Sequence, residues 1–152
     1  MDKPVLFCYD GSDGSRSALR AAVELVARPA DVVVLVVWMP AVVSLVRAGS
    51  FLTTVPNEGE IDEQEAAFAK QLAEEGAAGA REHGCNASAR IAQADTSVVG
   101  TIGEIAREID AGLIVCGQRG RGAVRSALLG SVSHGLSMHA QRPVLIVPER
   151  AG

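Results

Sequence analysis

Four short runs of uninterrupted apolar residues constrain this chain more than anything else in it: Pro4 to Tyr9, Val32 to Val37, Leu113 to Cys116 and Val144 to Val147. Each is too short for a buried helix, and three are rich in β-branched residues. A strand that is apolar on every residue has both faces covered, and that is the mark of a parallel sheet packed between helices. Asp31–Trp38 belongs at the centre of such a sheet. A weaker alternation over Ala87 to Ala92 supplies a further strand.

The segments between these runs carry helical period. Leu19, Ala22, Val23 and Val26 form one apolar stripe behind a cap at Asp13 or Ser15, and Pro29 stops that helix. Residues Ile61 to His83, rich in Ala and Glu and ended by Gly84, read as a surface helix with Phe68 and Leu72 on one side. Val98, Ile102, Ile105, Ala106 and Ile109 space as another amphipathic helix, and Ser131 to His139 forms the last. Met39 to Glu60 is long and apolar for a connection (Val42, Val43, Leu45, Val46, Phe51, Leu52), and a short helix fits at Ala41–Arg47. Such a stretch is more often a lid, a binding wall or a subunit contact than a linker. The order is β-α-β-α-β-α-β-α-β over one domain, residues 1–152. This is an α/β fold of three layers, α/β/α, with a five-stranded parallel sheet of Rossmann-like type. Ligands bind such sheets at the carboxyl ends of the strands, where the strand order reverses.

At one of those ends stands Gly117-Gln118-Arg119-Gly120-Arg121-Gly122, followed by Gly130-Ser131-Val132-Ser133. Strand, glycine-rich loop and helix start together make a phosphate cradle: glycines let the backbone approach an anion, and the helix N-terminus adds partial positive charge. The charges agree. The chain has a net charge of −4, yet Ala111 to Pro148 holds no Asp or Glu while containing Arg119, Arg121, Arg125 and Arg142. A basic loop on an acidic protein points to a local anion site rather than to nucleic acid. Asp10 closes the first strand and Trp38 the second, so both share that edge with the glycine loop.

Other chemistries fit poorly. The lysine of a P-loop is missing, since the chain holds only Lys3 and Lys70. Asp10-Gly11-Ser12-Asp13 lacks the glutamate of a calcium loop, and no G-x-S-x-G elbow exists. His134 and His139 read as partly buried or interfacial rather than catalytic. Cys8, Cys85 and Cys116 lack metal-ligand spacing; Cys8 and Cys116 lie inside strands and read as buried thiols of a reducing, cytoplasmic compartment. Neither a signal peptide nor a bilayer-spanning run is evident, so no membrane partner is expected.

The spacing Gly117-x2-Gly120-x9-Gly130-Ser131 resembles the nucleotide-binding signature of universal stress proteins. Val5-Leu6-Phe7-Cys8-Tyr9-Asp10 resembles that family's first strand, and Arg142-Pro143-Val144-Leu145-Ile146-Val147 its last, so the likeness runs from Pro4 to Val147. It implies an adenine nucleotide alpha hydrolase-like fold, usually dimeric, binding ATP or another adenine nucleotide. Carried over, Gly117, Gln118, Arg119, Gly120 and Arg121 would meet the phosphates together with Gly130, Ser131 and Val132, with the hydroxyls of Ser131 and Ser133 as further donors. Asp10 would lie by the ribose, the adenine or a nucleotide-bound Mg2+. Cys8, Trp38 and Met39 would border the adenine. Gln118 departs from the pattern, which usually has a small hydroxyl residue there.

The expected function is a nucleotide-responsive stress-adaptation or signalling module. It would act as a homodimer through the apolar last strand, Val144 to Val147, whose open edge invites a twin. Two alternatives remain open to such a sequence: slow ATP hydrolysis or phosphotransfer involving Asp10 or a serine, and an interaction module that takes no nucleotide.

Overall fold

The computed structural model describes residues 3–26, 30–51, 54–121 and 129–149. The expectations for Pro29, Leu52, Gly122 and Arg125 lie outside the described residues. Five strands and five helices follow one another: β1 (Val5–Cys8), α1 (Asp13–Leu25), β2 (Asp31–Trp38), α2 (Ala41–Arg47), α3 (Glu58–Glu82), β3 (Asn86–Gln93), α4 (Val98–Glu108), β4 (Leu113–Gly117), α5 (Ser131–His139) and β5 (Val144–Val147). All pairings are parallel, in the order β3-β2-β1-β4-β5. The chain therefore builds outward from β1 to one side, then crosses back to build β4 and β5 on the other. The reversal falls between β1 and β4, and their carboxyl ends open the crevice expected of such a sheet.

Strand alternation divides the core in two. Val5, Phe7, Val32, Val34, Val36 and Val115 pack against α1 and α3. Leu6, Leu35, Ile114 and Cys116 turn to the other face and meet Ile102 and Ile105 of α4 and Leu136 of α5. Burying each of these aliphatic side chains contributes about 1.5–3 kcal/mol. Helix α3 seats itself on the sheet with small residues: Ala69, Ala73, Ala77 and Ala80 are buried. A Cβ on Gly76 would come within 2.8 Å of Val34 Cγ1, so the spacing between helix and sheet depends on the missing methyl.

Several boundaries differ from expectation. Neither Asp13 nor Ser15 caps α1; Ser12 does, its Oγ accepting from the Ser15 amide at 3.1 Å. Helix α3 begins at Glu58 rather than Ile61 because Asn57, at φ 56°, supplies a left-handed entry that periodicity does not reveal. Strand β3 is longer than its weak alternation suggests, since all eight residues pair with β2. The short helix at Ala41–Arg47 is present, tied to α3 by the Ala41 amide donating to Asp62 Oδ1 at 2.8 Å.

Candidate functional site

The two glycine turns touch. The Gly130 amide donates to the Gln118 carbonyl at 2.9 Å, and a Cβ on Gly130 would stand 3.4 Å from Arg119 Cα. Ser133, buried at the start of α5, donates its hydroxyl to Gln118 O (2.8 Å) and Gly130 O (3.0 Å), closing the same junction from below. On the far side the Gln118 amide is held by the Val147 carbonyl of β5 at 2.8 Å. Helix α5 is capped by Gly130, which brings no side chain to the first amides. The N–H groups of Ser131 and Val132, which by helix geometry lack intrahelical acceptors, therefore stay available to an external anion.

Asp10, just past β1, holds the first turn in place. Its Oδ2 accepts the Arg121 amide at 2.9 Å, and a Cβ on Gly120 would come within 2.6 Å of that oxygen. Its Oδ1 accepts the Ser12 amide at 3.0 Å and the Ser12 hydroxyl at 2.6 Å. Burial alone pushes this carboxyl up, but the hydrogen bonds from Ser12 and Arg121 outweigh it and hold the group below its ordinary value. Ser12 thus joins the start of α1 to Asp10, and Asp10 joins both to the glycine loop.

Between these turns and α4 opens a cleft of about 610 Å³, within the usual range for small-molecule sites. Its polar end is formed by Asp10, Gly117, Arg119, Gly120, Arg121 and Gly130, with Ser131 beside them. Its apolar end is formed by Leu35, Val37 and Met39 from the β2 side, Val98 and Ile102 from α4, and Leu129 and Val132 near α5. Cys8 and Cys116 floor it from adjacent strands. An apolar slot beside a row of backbone donors suits a flat heterocycle carrying phosphate.

A model of the universal stress protein family matches residues 1–148. The chain belongs to that family. Over 52 residues it is 48% identical to universal stress protein Rv1996 of Mycobacterium tuberculosis; that stretch is 34% of this chain and 16% of the relative, so the match spans only a small part of that protein's length. Among solved structures it resembles the hypothetical protein MJ0577 (TM-score 0.81, 21% identity, covering 100% of this chain and 99% of the other). It also resembles a universal stress family protein of Burkholderia pseudomallei (TM-score 0.73, 25% identity, 97% and 96% covered). Further structures share the fold at 17–22% identity with TM-scores of 0.64–0.65 and were solved with adenine nucleotides: one with cAMP, one from Arabidopsis thaliana with AMP and one from Archaeoglobus fulgidus with dAMP. Among the described residues no helix of this universal stress domain is long and apolar enough to cross a membrane.

Most of the residues singled out in the sequence meet in the cleft, but three do not behave as expected. Trp38 is not on its wall: the side chain packs on the opposite, α3-facing core, and the carbonyl is occupied by the Ala94 amide at 2.8 Å. Gln118 also stays off the lining, its amide donating to Val147 of β5 and its carbonyl accepting from Gly130. Ser133 lines the cleft, but its hydroxyl proton serves Gln118 and Gly130, so it shapes the turns rather than donating outward. Ser131 is the first residue of α5, as the predicted bounds of that helix have it.

The arginines separate by role. Arg121 turns its guanidinium over the Phe68 ring of α3, 5.0 Å from the centroid. Arg142 lies at the other end of β5, bonded to Asp110 Oδ1 at 2.7 Å, away from the cleft lining. Cys116 is buried but Cys8 only partly so, because its end of β1 opens onto the cleft. Burial, then the neighbouring Cys116 and Asp10, pushes the Cys8 thiol well up; burial lifts Cys116 to about 11. Both are protonated at neutral pH and act as soft apolar wall. His134 and His139 are exposed rather than partly buried. The α4 residues Val98 and Ile102 escaped sequence reasoning because a stripe that faces the core and one that continues along a cleft look the same.

Among the described residues no cluster of three His, Cys, Asp or Glu side chains exists to hold a metal ion. Among the described residues Asp10 is the one carboxylate on the cleft wall, and both its oxygens already accept protein hydrogen bonds. A magnesium ion fits here only as a companion of bound phosphates, which would supply most of its ligands.

Proposed function

We propose that this universal stress protein binds ATP in the cleft and works as a nucleotide-responsive module in stress adaptation, assembling as a homodimer. The observation that carries the reading is the junction of the two glycine turns. It directs the free amides at the start of α5 and the backbone of Gly117, Arg119 and Gly120 toward one end of a cleft whose other end is apolar. The phosphates lie along Gly117, Gly120, Gly130 and Ser131, and the adenine enters between Met39, Val37 and α4. Asp10 faces the sugar or a phosphate-bound Mg2+ while keeping its loop-holding bonds. Those three bonds, and the low proton affinity they impose, make it a poor general base, which favours binding over hydrolysis.

Calorimetric titration with ATP, with and without Mg2+, tests this. Saturation with one nucleotide per chain is expected, with stabilisation of about 2.7 kcal/mol at a hundredfold excess over Kd. In Gly120→Val the branched side chain collides with Asp10, and binding is expected to vanish while the fold persists. Absence of heat and of thermal stabilisation in the wild type at millimolar nucleotide would overturn the reading.

A further inference from the structure

Glu149, just past β5, faces the glycine loop from outside the cleft. Its Oε2 lies 3.8 Å from Arg119 Nη1, the outer limit of an ion pair. Its Oε1 lies against the first turn of α1, where a Cβ on Gly14 would stand 3.2 Å away. A helix N-terminus favours a carboxylate there, so Glu149 has a place of its own and does not depend on Arg119. Arg119 is the less satisfied partner: its Nε is buried without a hydrogen-bond partner among the described residues, and 29% of the side chain remains exposed. An arginine on the cleft wall is thus loosely held by one carboxylate and keeps donors to spare.

We propose that Glu149 tunes how the cleft discriminates nucleotides by phosphate number, by competing with the phosphate chain for Arg119. This rests on the cleft being a nucleotide site. Each added phosphate brings more negative charge to Arg119, which pulls the guanidinium from Glu149 and sets the two anions against each other. The opposition grows from AMP to ATP, so Glu149 narrows the advantage that a triphosphate would otherwise hold. Its position ties this to β5, since Glu149 follows two residues after the carbonyl that holds Gln118.

The test is calorimetry with AMP and ATP on wild type, Glu149→Gln, Arg119→Gln and the double variant, at low and high salt. Removing the charge of Glu149 is expected to tighten ATP about three- to fivefold at low salt, the scale of a partly exposed ion pair. AMP should gain less, high salt should shrink the gain, and the Arg119→Gln background should abolish it. Unchanged or weaker ATP binding in Glu149→Gln overturns the proposal. So does an equal gain for AMP and ATP, or a gain that survives Arg119→Gln. Normal wild-type binding with no Glu149 effect removes this proposal alone; wild type and Glu149→Gln both failing to take up any nucleotide removes the nucleotide reading with it.

Discussion

At the scale of single residues, Asp10 has the widest reach, because one carboxylate ties the start of α1 to the glycine loop. Its folded-state pKa lies below the ordinary 3.8. The bonds therefore contribute fully above that value and are lost as pH falls through the folded one. Asp10→Asn keeps the shape but leaves one acceptor oxygen in place of two, so its NH2 faces either the Arg121 amide or the Ser12 donors. We expect a loss of about 1–3 kcal/mol at neutral pH and a shallower fall of stability below pH 3.8 than in wild type, read by denaturant unfolding across pH. Asp10 was legible as a residue of the cleft from its place at a strand end, whereas its hydrogen-bond partners were not. The Ser12 cap lost out in the sequence to Asp13 and Ser15, which have equal capping chemistry one and three residues on. Nothing in the pattern distinguishes a serine that donates inward, as Ser133 does, from one that faces a ligand.

At the scale of elements, helix glycines sort by what a methyl would meet. In α4, Gly103 has nothing within 4 Å of the added Cβ, so Gly103→Ala should stabilise by about 0.5–1 kcal/mol through helix propensity alone. In α3, Gly76→Ala drives the methyl against Val34 and Tyr9 and should cost about 1–3 kcal/mol. Equilibrium unfolding of the two variants should move in opposite directions. The uninterrupted apolar runs announced β1, β2, β4 and β5, because full burial leaves no room for polar residues. Helix α3 was recognisable in type but not in its start, which depends on the backbone angle of Asn57. The stripe of α4 revealed a buried face without revealing that Val98 stands at its open end.

At the scale of the whole molecule, β5 lies at an open edge of the sheet. Ile114 and Gln118 give their amides to the carbonyls of Pro143 and Val147, so the intervening Val144 and Ile146 turn their peptide groups outward. All four β5 residues are only partly buried. If a second copy covers that edge, Ile146→Pro removes an outward N–H while sparing the β4 ladder. Light scattering should then show the mass of a monomer in place of a dimer; an unchanged dimer would exclude this edge as the contact. The alternation of strands and helices made the parallel sheet readable, and the register that puts β5 beside the glycine loop was not. The Val147 carbonyl belongs to the rim strand and to the loop at once. Whatever docks along that rim stands one peptide away from the turns of the cleft, and news of its arrival needs no longer route than a single hydrogen bond.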